Sequence, residues 1–403
     1  MAQVSQVVEI PSKWDVIPIH ASDISAYKRC RRYWEWSSPT RTNLRRKVDI
    51  FGLDPKLWFG SGFHYALEQY YNPALQRDPV ETFSTWFQLQ WYGGVLTEDE
   101  LDLTYDIRPE LLPDGTYHTK GLVDLLPSPD EDEFMAYREL GIGMATFFKE
   151  WAKRHDVGFE LVAAESKFSI PLGFESKDRR EDSPNYGKML EVHARGKRDA
   201  IVFRYDVERY GILEHKTAAN IGEDYFRKLD KDPQVTTYLW ASQLEAQLND
   251  LPWKNLTDVF YRAYRKTAPS PPTPLKSGMP SLNRTTESTT AEMFSQYIKD
   301  NDLVLWYEEN PKAQEYYEYL LREGEELFII EEIVRRNRYE IENQGIHYRM
   351  IAEEMLNDPS IYPNPTGDWL CLGCQFRPPC IAADDGSDWQ GMLDDGYERN
   401  RDR

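Results

Sequence analysis

The pattern of apolar and polar residues predicts strands in the middle of the chain and helices on both sides of it. Patterns typical of helices occupy residues 22–36, 57–71, 133–154, 234–247 and 291–356. Runs rich in Val, Ile, Phe and Tyr, which are typical of strands, occupy residues 159–172, 192–205, 210–217 and 257–264. Pro311 breaks the last helical stretch, and the prolines between 269 and 280 predict an extended segment.

Two predicted strands carry carboxylates among apolar neighbours. A hairpin with a four-residue loop at residues 205–208 pairs Arg204 with Arg209, and the same register places Asp199 opposite Glu214. Directly opposed side chains lie about 4.5–5.5 Å apart at Cβ. Two carboxylates at that spacing repel each other unless a cation lies between them. Mg²⁺ and Mn²⁺, which prefer oxygen ligands, meet that need.

Lys216 lies two residues beyond Glu214 and therefore projects from the same face of the strand. An ammonium group there can orient an attacking water or neutralise charge that develops on a phosphate. The backbone carbonyl of His215 is a further candidate metal ligand. The alternative is an ordinary cross-strand ion pair, although charges among apolar residues are costly unless they bind something.

Three residues on predicted helices are further candidates. His64 follows Gly60-Ser61-Gly62-Phe63 and adds an imidazole ligand, or is a hydrogen-bonded core histidine. Gln234 and Tyr238 are four residues apart and share a helix face. They either line the cleft and hold Lys216 or a DNA phosphate, or form a surface pair. Glu165, in a predicted strand, is a weaker acidic candidate.

The four cysteines of the chain predict a metal site. Cys371, Cys374 and Cys380 form a C-x2-C-x5-C array, and Cys30 lies 371 − 30 = 341 residues before it. Four thiols suffice for one zinc site or one iron–sulfur cluster, and the ligand type does not separate the two. A shared site would join the two ends of the chain.

Charge is distributed unevenly along the chain. The net charge of −20 excludes a protein that coats nucleic acid over its whole surface, although not a local basic track. Residues 22–47, which we call the basic segment, hold eight basic and two acidic residues with interleaved aromatics. It is either an amphipathic helix whose aromatics pack inward or part of a single-strand channel. Residues 384–403 hold seven acids and three arginines and are predicted to be disordered.

No run of 18 apolar residues occurs, so we expect no membrane span. Residues 1–15 lack the pattern of a signal peptide. We therefore expect a cytoplasmic protein, in a bacterial or phage-infected host cell, whose thiols stay reduced.

Taken in order, these motifs resemble the PD-(D/E)XK nuclease superfamily, in its RecB-like branch with an iron–sulfur cluster. That branch includes Cas4 proteins, the nuclease domain of AddB and Cas4-like exonucleases of bacteriophages. The resemblance covers residues 20–382 and rests on six elements: Cys30, Gly62-Phe63-His64, Gly196-Lys197-Arg198-Asp199, Glu214-His215-Lys216, Gln234 with Tyr238, and the three C-terminal cysteines.

The resemblance implies an α/β fold with a PD-(D/E)XK restriction-endonuclease-like core, a mixed β-sheet flanked by helices, added helical regions and a terminal-clasp iron–sulfur subdomain. It implies Asp199 and Glu214 as metal ligands, Lys216 as the catalytic lysine and a [4Fe-4S] cluster on Cys30, Cys371, Cys374 and Cys380. The expected regions are an N-terminal helical segment contributing one cluster cysteine (20–56), a helical region with the motif histidine (57–157), the nuclease core (158–265), a Pro-rich linker and helical region (266–360), the C-terminal cysteine segment (361–382) and an acidic disordered tail (383–403).

The expected function is a Mg²⁺- or Mn²⁺-dependent DNA exonuclease or end-processing nuclease in recombination, replication or repair, acting on single strands or duplex ends. One alternative is a non-catalytic DNA-end-binding protein with a structural metal clasp. Another is a Cas4-type nuclease that processes CRISPR spacers. No Walker A sequence is present, so a helicase or recombinase partner would be a separate chain.

Overall fold

The computed structural model describes residues 10–47, 55–96, 110–125, 130–357, 360–364 and 369–399. Its centre is a six-stranded mixed sheet. The strands of this sheet are β1 (Ile17–His20), β6 (Phe159–Lys177), β7 (Met189–Arg204), β8 (Arg209–Ala218), β9 (Asp258–Arg265) and β10 (Ile329–Arg335). β1 runs parallel to β7 and β8 parallel to β9, whereas the other neighbouring pairs are antiparallel.

The long strand β7 pairs with a single strand, β6, along one edge and with two strands, β1 and then β8, along the other edge. β6 follows most of its length with two register shifts. On the other side, β1 pairs with β7 as far as Arg195, and β8 pairs with it only from Ala200 onward. Residues 196–199 therefore face an opening between β1 and the free end of β8. We call this opening the sheet fork.

Helices cover both faces of the sheet because adjacent strand residues point to opposite sides. One face packs against α3 (Pro55–Tyr71), α4 (Pro79–Tyr92) and α6 (Glu131–His155) in an aromatic-rich core that includes Val202 and Leu213. The other face packs Ile201 and Ile212 against α8 (Pro233–Leu248). Between α4 and α6 lie a small sheet of β3 (Gly93–Leu96), β4 (Glu110–Leu111) and β5 (Tyr117–Lys120), and the short α5 (Leu122–Leu125).

The central hairpin has the predicted register. Arg204 pairs with Arg209 and Ala200 with Leu213, so the paired numbers sum to 413 throughout. The predicted strands at 159–172, 192–205, 210–217 and 257–264 are all present. The predictions of helices at 57–71, 133–154 and 234–247 are also confirmed. Two strands of the central sheet, β1 and β10, were not predicted.

The expectation of a mostly helical stretch at residues 291–356 is confirmed except for one strand, β10. This stretch contains α9 (Ala291–Asp300), α10 (Val304–Glu309) and α11 (Pro311–Glu323), then β10, and finally α12 (Arg338–Asn357). The segment Ile329-Ile330-Glu331-Glu332-Ile333-Val334-Arg335 pairs antiparallel with β9. Pairing with an available strand edge decides its conformation, and helix propensity does not. A short helix α7 (Glu223–Arg227) precedes α8.

The first helical prediction is wrong in one respect that concerns Cys30. The predicted helix at 22–36 is two helices, α1 (Ala21–Arg29) and α2 (Arg31–Ser37), and Cys30 lies between them in extended conformation. His20 and Asp23 form the capping box of α1.

The prediction of a disordered acidic tail is also wrong for residues 383–399. α13 (Trp369–Leu372) and α14 (Arg377–Asp385) are followed by α15 (Trp389–Gly396) and β11 (Tyr397–Arg399). β11 pairs antiparallel with β2 (Leu44–Arg46), which gives the acidic segment a basic partner strand. Among the described residues, no helix is both long and apolar enough to cross a membrane.

Candidate functional site

The sheet fork brings the two predicted carboxylates together. Asp199 is the last residue of the opening, and Glu214 is the first residue of β8 beyond its pairing with β7. Asp199 Oδ2 accepts a hydrogen bond of 2.7 Å from the backbone N–H of His215, a group that the splayed strands leave without a β7 partner. The loss of strand pairing thus supplies the donor that holds Asp199.

Glu214 is buried and only half satisfied. The Nζ atom of Lys216 lies 2.6 Å from Glu214 Oε1, whereas Glu214 Oε2 is buried without a hydrogen-bond partner in the described part of the chain. Burial, and then repulsion from Asp199, raise the pKa of Glu214 to about 7. Burial opposes the charge on Lys216, but Glu214 and Asp199 outweigh it and raise the lysine pKa.

His64 comes to the site from α3 on the opposite face. Burial lowers the pKa of His64 to about 4; Asp199 opposes this shift and Lys216 adds to it. Neutral imidazole is the form that ligates metals. Close packing fixes this helix, because a Cβ on Gly62 would lie 2.2 Å from the Trp86 ring and one on Gly60 would lie 3.2 Å from Thr217 Oγ1.

Gln234 and Tyr238 lie on the first turns of α8, and Gln234 Nε2 donates a 3.0 Å hydrogen bond to the Tyr238 hydroxyl. Asp232 caps this helix through the backbone N–H groups of Gln234 and Val235. Burial and then Glu214 raise the pKa of Tyr238 to about 12. Because Glu214 and Lys216 perturb this phenol, we infer that it borders the carboxylate pair.

The side chain of His215 points away from Glu214 into the aromatic core. The Tyr264 hydroxyl lies 2.9 Å from His215 Nδ1, and the Tyr71 ring stacks on the imidazole at 5.2 Å. Burial, followed by Arg262 and His64, lowers the pKa of His215 well below its ordinary value. Only the backbone of this residue is therefore directed along the fork.

The donor set at the fork fits a hard divalent cation in composition. It offers a buried carboxylate oxygen without a partner, a second carboxylate and a neutral imidazole. In the arrangement observed, however, no three His, Cys, Asp or Glu side chains of the described residues converge closely enough to hold a metal ion. Lys216 instead provides the counter-charge of Glu214.

The sequence did not predict a buried ion pair directly beside Asp199, between Arg198 and Glu245. Arg198 is 1% exposed and donates hydrogen bonds to Ser242 Oγ at 2.8 Å and Glu245 Oε2 at 2.6 Å, both on α8. Its guanidinium also lies over the Phe168 ring at 5.3 Å. This contact fixes the helix that carries Gln234 and Tyr238 to the strand that carries Asp199. Adjacency to a motif aspartate was the only signal in the sequence. The side chain of Glu165 lies outside the described residues.

The structure brings the cysteine-bearing segments together. Arg29 donates a hydrogen bond to the carbonyl of Leu370, and Arg32 lies 3.3 Å from Cys380 Sγ. Burial raises the pKa of the Cys374 and Cys380 thiols, and Cys30 contributes to both shifts. Cys30 is thus close enough to act electrostatically on both of these thiols, whereas Cys371 is exposed. In the described part of the chain, however, no three cysteines converge closely enough to hold a metal ion. Four sulfur donors suit an iron–sulfur cluster or zinc.

The basic segment is mainly structural. Arg31 pairs with Glu354, Arg32 with Asp384 and Arg45 with Glu398. Trp34 is fully buried, and Trp36 is also buried. These contacts support the amphipathic packing alternative over a single-strand channel along this segment.

Comparison with protein-family models shows what class of protein this fold and site belong to. The chain matches the model of the PD-(D/E)XK nuclease superfamily over residues 19–381. The protein is therefore a member of that superfamily, whose members are generally nucleases that use divalent metals. The comparison with curated proteins found no match.

Proposed function

We propose that the protein is a divalent-metal-dependent DNA exonuclease that processes DNA ends in recombination, replication or repair. The observation that carries this proposal is Glu214, a buried carboxylate next to Asp199 and Lys216, one oxygen of which has no hydrogen-bond partner among the residues that the structure describes. Burying a carboxylate without a full set of hydrogen-bond partners lowers the stability of the fold, so such a group is characteristic of a functional site. Membership of a nuclease superfamily supplies the reaction class.

Each residue has a proposed role. Asp199, Glu214, His64 and the backbone carbonyl of His215 would hold Mg²⁺ or Mn²⁺. The ion would polarise the phosphodiester and lower the pKa of a bound water. Lys216 positions the attacking water and offsets negative charge that develops on the phosphate. For Gln234 and Tyr238 we propose that the amide and phenol orient Lys216 or a DNA phosphate.

We further propose that the chain belongs to the RecB-like, Cas4-like branch with a [4Fe-4S] cluster on Cys30, Cys371, Cys374 and Cys380, as in phage exonucleases. The all-sulfur donor set and the proximity of Cys30 to Cys374 and Cys380 support this assignment. The expected setting is the cytoplasm of a bacterial or phage-infected cell, with any helicase or recombinase as a separate chain.

Digestion of end-labelled DNA tests the activity. Linear single strands and duplexes labelled at the 5′ or 3′ end, together with a circular substrate, are incubated with Mg²⁺, Mn²⁺ or a chelator. We expect metal-dependent release of short products from linear DNA and none from the circle. Binding to DNA ends with no cleavage under any metal condition would instead indicate the non-catalytic alternative.

The cluster has its own test, independent of cleavage. Protein purified without oxygen should be brown, absorb broadly in the visible range and contain iron. A colourless protein with zinc would assign the cysteines to a zinc site, and the absence of both metals would contradict a metal clasp.

A further inference from the structure

A groove begins at the sheet fork and runs away from the carboxylates. Two cavities, each of about 320 Å³, share His20, Arg195, Gly196 and Lys197 among their lining residues. They therefore adjoin each other near the end of β1, and we treat them together as one depression. One cavity reaches Gln234 and Tyr238 at the candidate site. The other reaches Lys13, Trp14 and Lys167. We call the whole depression the fork groove.

The charge of the fork groove is opposite to that of the chain. The whole protein has 68 acidic and 48 basic residues. Asp182 is the one acidic residue among those described as lining the groove, against six cations: Lys13, Lys28, Lys167, Arg180, Arg195 and Lys197. A local excess of this kind in an acidic protein marks a binding surface for a polyanion.

Several of these cations are available to a ligand. Lys28 and Lys167 are exposed and, among the described residues, have no ion-pair partner. Arg195 is held by Ser169 Oγ at 3.1 Å and by the carbonyls of Pro11 and Ser12, all uncharged acceptors. Its charge is thus positioned without being neutralised. Arg180 and Lys197 are different. Asp178 binds Arg180 in a buried ion pair at 2.8 Å, and Glu68 Oε2 lies 3.2 Å from the Nζ atom of Lys197.

The aromatic content of the groove favours a single strand. Tyr238 lies at the end near the carboxylates and Trp14 at the far end, both partly exposed. Cations that follow the backbone, combined with rings on which bases stack, are characteristic of single-strand grooves.

We propose that one strand of DNA lies in the fork groove, with phosphates on Lys28, Arg195, Lys167 and Lys13, and reaches the carboxylates past Tyr238. This inference rests on the proposed nuclease function for its choice of DNA. The strand therefore lies along β7 and the N-terminal residues. From the basic segment it contacts Lys28, because Arg31, Arg32 and Arg45 of that segment pair with acidic residues of the C-terminal region.

Charge reversal at the far end of the groove tests the path. The double variant Lys13→Glu/Lys167→Glu changes two exposed lysines. Its control, Lys299→Glu/Lys312→Glu, makes the same charge change on exposed lysines of α9 and α11. Binding of a fluorescent 30-nucleotide single strand is measured in chelator over a series of salt concentrations, so the result does not depend on cleavage.

For the groove variant we expect affinity to fall at least about tenfold near 50 mM salt, and the log–log salt slope to drop by about 1.4, which is two contacts at roughly 0.7 each. The control variant should match the wild type. A groove variant whose slope equals that of the control would overturn the proposed path. A blunt duplex bound as tightly as the single strand, with the same loss in the groove variant, would overturn the single-strand assignment.

Trp14→Ala gives a second readout. We expect weaker binding of the single strand with an unchanged salt slope, because the ring contributes stacking and no charge. Unchanged affinity would show that the strand does not reach Trp14. Wild-type hydrolysis of thymidine 5′-(p-nitrophenyl phosphate) with Mn²⁺ is assayed separately. Its failure would count against the nuclease assignment and leave the binding result interpretable.

Discussion

The sheet fork and the terminal clasp differ in whether their charged side chains are paired and solvated or buried without a full set of partners. By terminal clasp we mean the contact of α1, α2 and β2 with residues 369–399. In the clasp the charges are paired at or near the surface, as in Arg45–Glu398 and Arg32–Asp384. At the fork Glu214 is 2% exposed, carries a pKa raised to about 7 and leaves one oxygen without a partner among the described residues.

This difference separates groups that stabilise the fold from groups that the fold must tolerate. A surface ion pair contributes about 0–1 kcal/mol, so the clasp needs many of them and an apolar cluster around Trp36, Phe376 and Tyr397. A buried carboxylate without a full set of partners costs stability and is retained where it has a function. Substitutions at the fork should therefore affect chemistry first, and those in the clasp should affect stability first.

The largest effect is expected on cleavage. Asp199→Ala, Glu214→Ala and Lys216→Ala should each lower the rate by at least about 10³-fold, because each removes a charge proposed to act on the phosphate. Each variant should still fold, and DNA binding in chelator should change little. Glu332→Ala, an exposed carboxylate on β10, is the control and should cleave normally. Full cleavage by Asp199→Ala would refute the assignment.

The clasp should show the reverse pattern in Cys30→Ala. Loss of one of four proposed thiolate ligands should release iron and lower the unfolding midpoint, because binding of the metal is coupled to folding around it. Cleavage should persist at low temperature, since none of the proposed cleaving groups is a cysteine. Iron content and thermal unfolding are the measurements. Full iron retention with unchanged stability would contradict the four-cysteine site.

The next effect is expected for the buried ion pair between Arg198 and Glu245. Arg198→Met and Glu245→Leu should each lower the free energy of unfolding of the protein by about 3–5 kcal/mol, because each leaves an uncompensated buried charge. The double variant should recover most of that loss, since no buried charge remains. Urea unfolding of the three variants measures the coupling. Additive losses in the double variant would mean that the pair does not act as a unit.

A smaller effect is expected on the pH dependence of stability. The pKa of Glu214 is about 7 in the fold and 4.5 ordinarily. Its contribution to stability is therefore fully present below pH 4.5 and is lost as the pH rises through 7. In chelator, wild-type stability relative to Glu214→Gln should fall by up to roughly 3 kcal/mol between those limits. A relative stability that rises with pH would show that Lys216 more than offsets the burial of the carboxylate.

The smallest effect is expected from a charge swap in the clasp. Arg45→Glu should lower the unfolding free energy by less than about 1 kcal/mol, and Arg45→Glu/Glu398→Arg should restore it, because the pair is partly solvated. The salt dependence of DNA binding should not change, since this arginine lies in the clasp. A smaller log–log salt slope of DNA binding in Arg45→Glu would instead show that the basic segment contacts DNA.

The sequence by itself determined the elements that depend on local pattern. Apolar runs located β6 to β9, and the arithmetic of a four-residue loop gave the hairpin register observed from Ala200–Leu213 to Arg204–Arg209. Asp199 and Glu214 lie just beyond the paired residues. Motif order identified the PD-(D/E)XK superfamily, which the match over residues 19–381 confirms. These features follow from neighbouring residues, from strand alternation and from the order of short motifs.

Only the tertiary structure decided the features that depend on partners far away in the chain. β10 is a strand because it pairs with the edge of β9 that β8 does not occupy. Residues 389–399 are ordered because β11 pairs with β2 and its arginines. The fork exists because β1 ends at Arg195 before β8 begins to pair at Ala200. Long-range pairing, unlike propensity, is set by what the rest of the fold leaves unpaired, and that is why the groove beside Asp199 could not be predicted from the sequence.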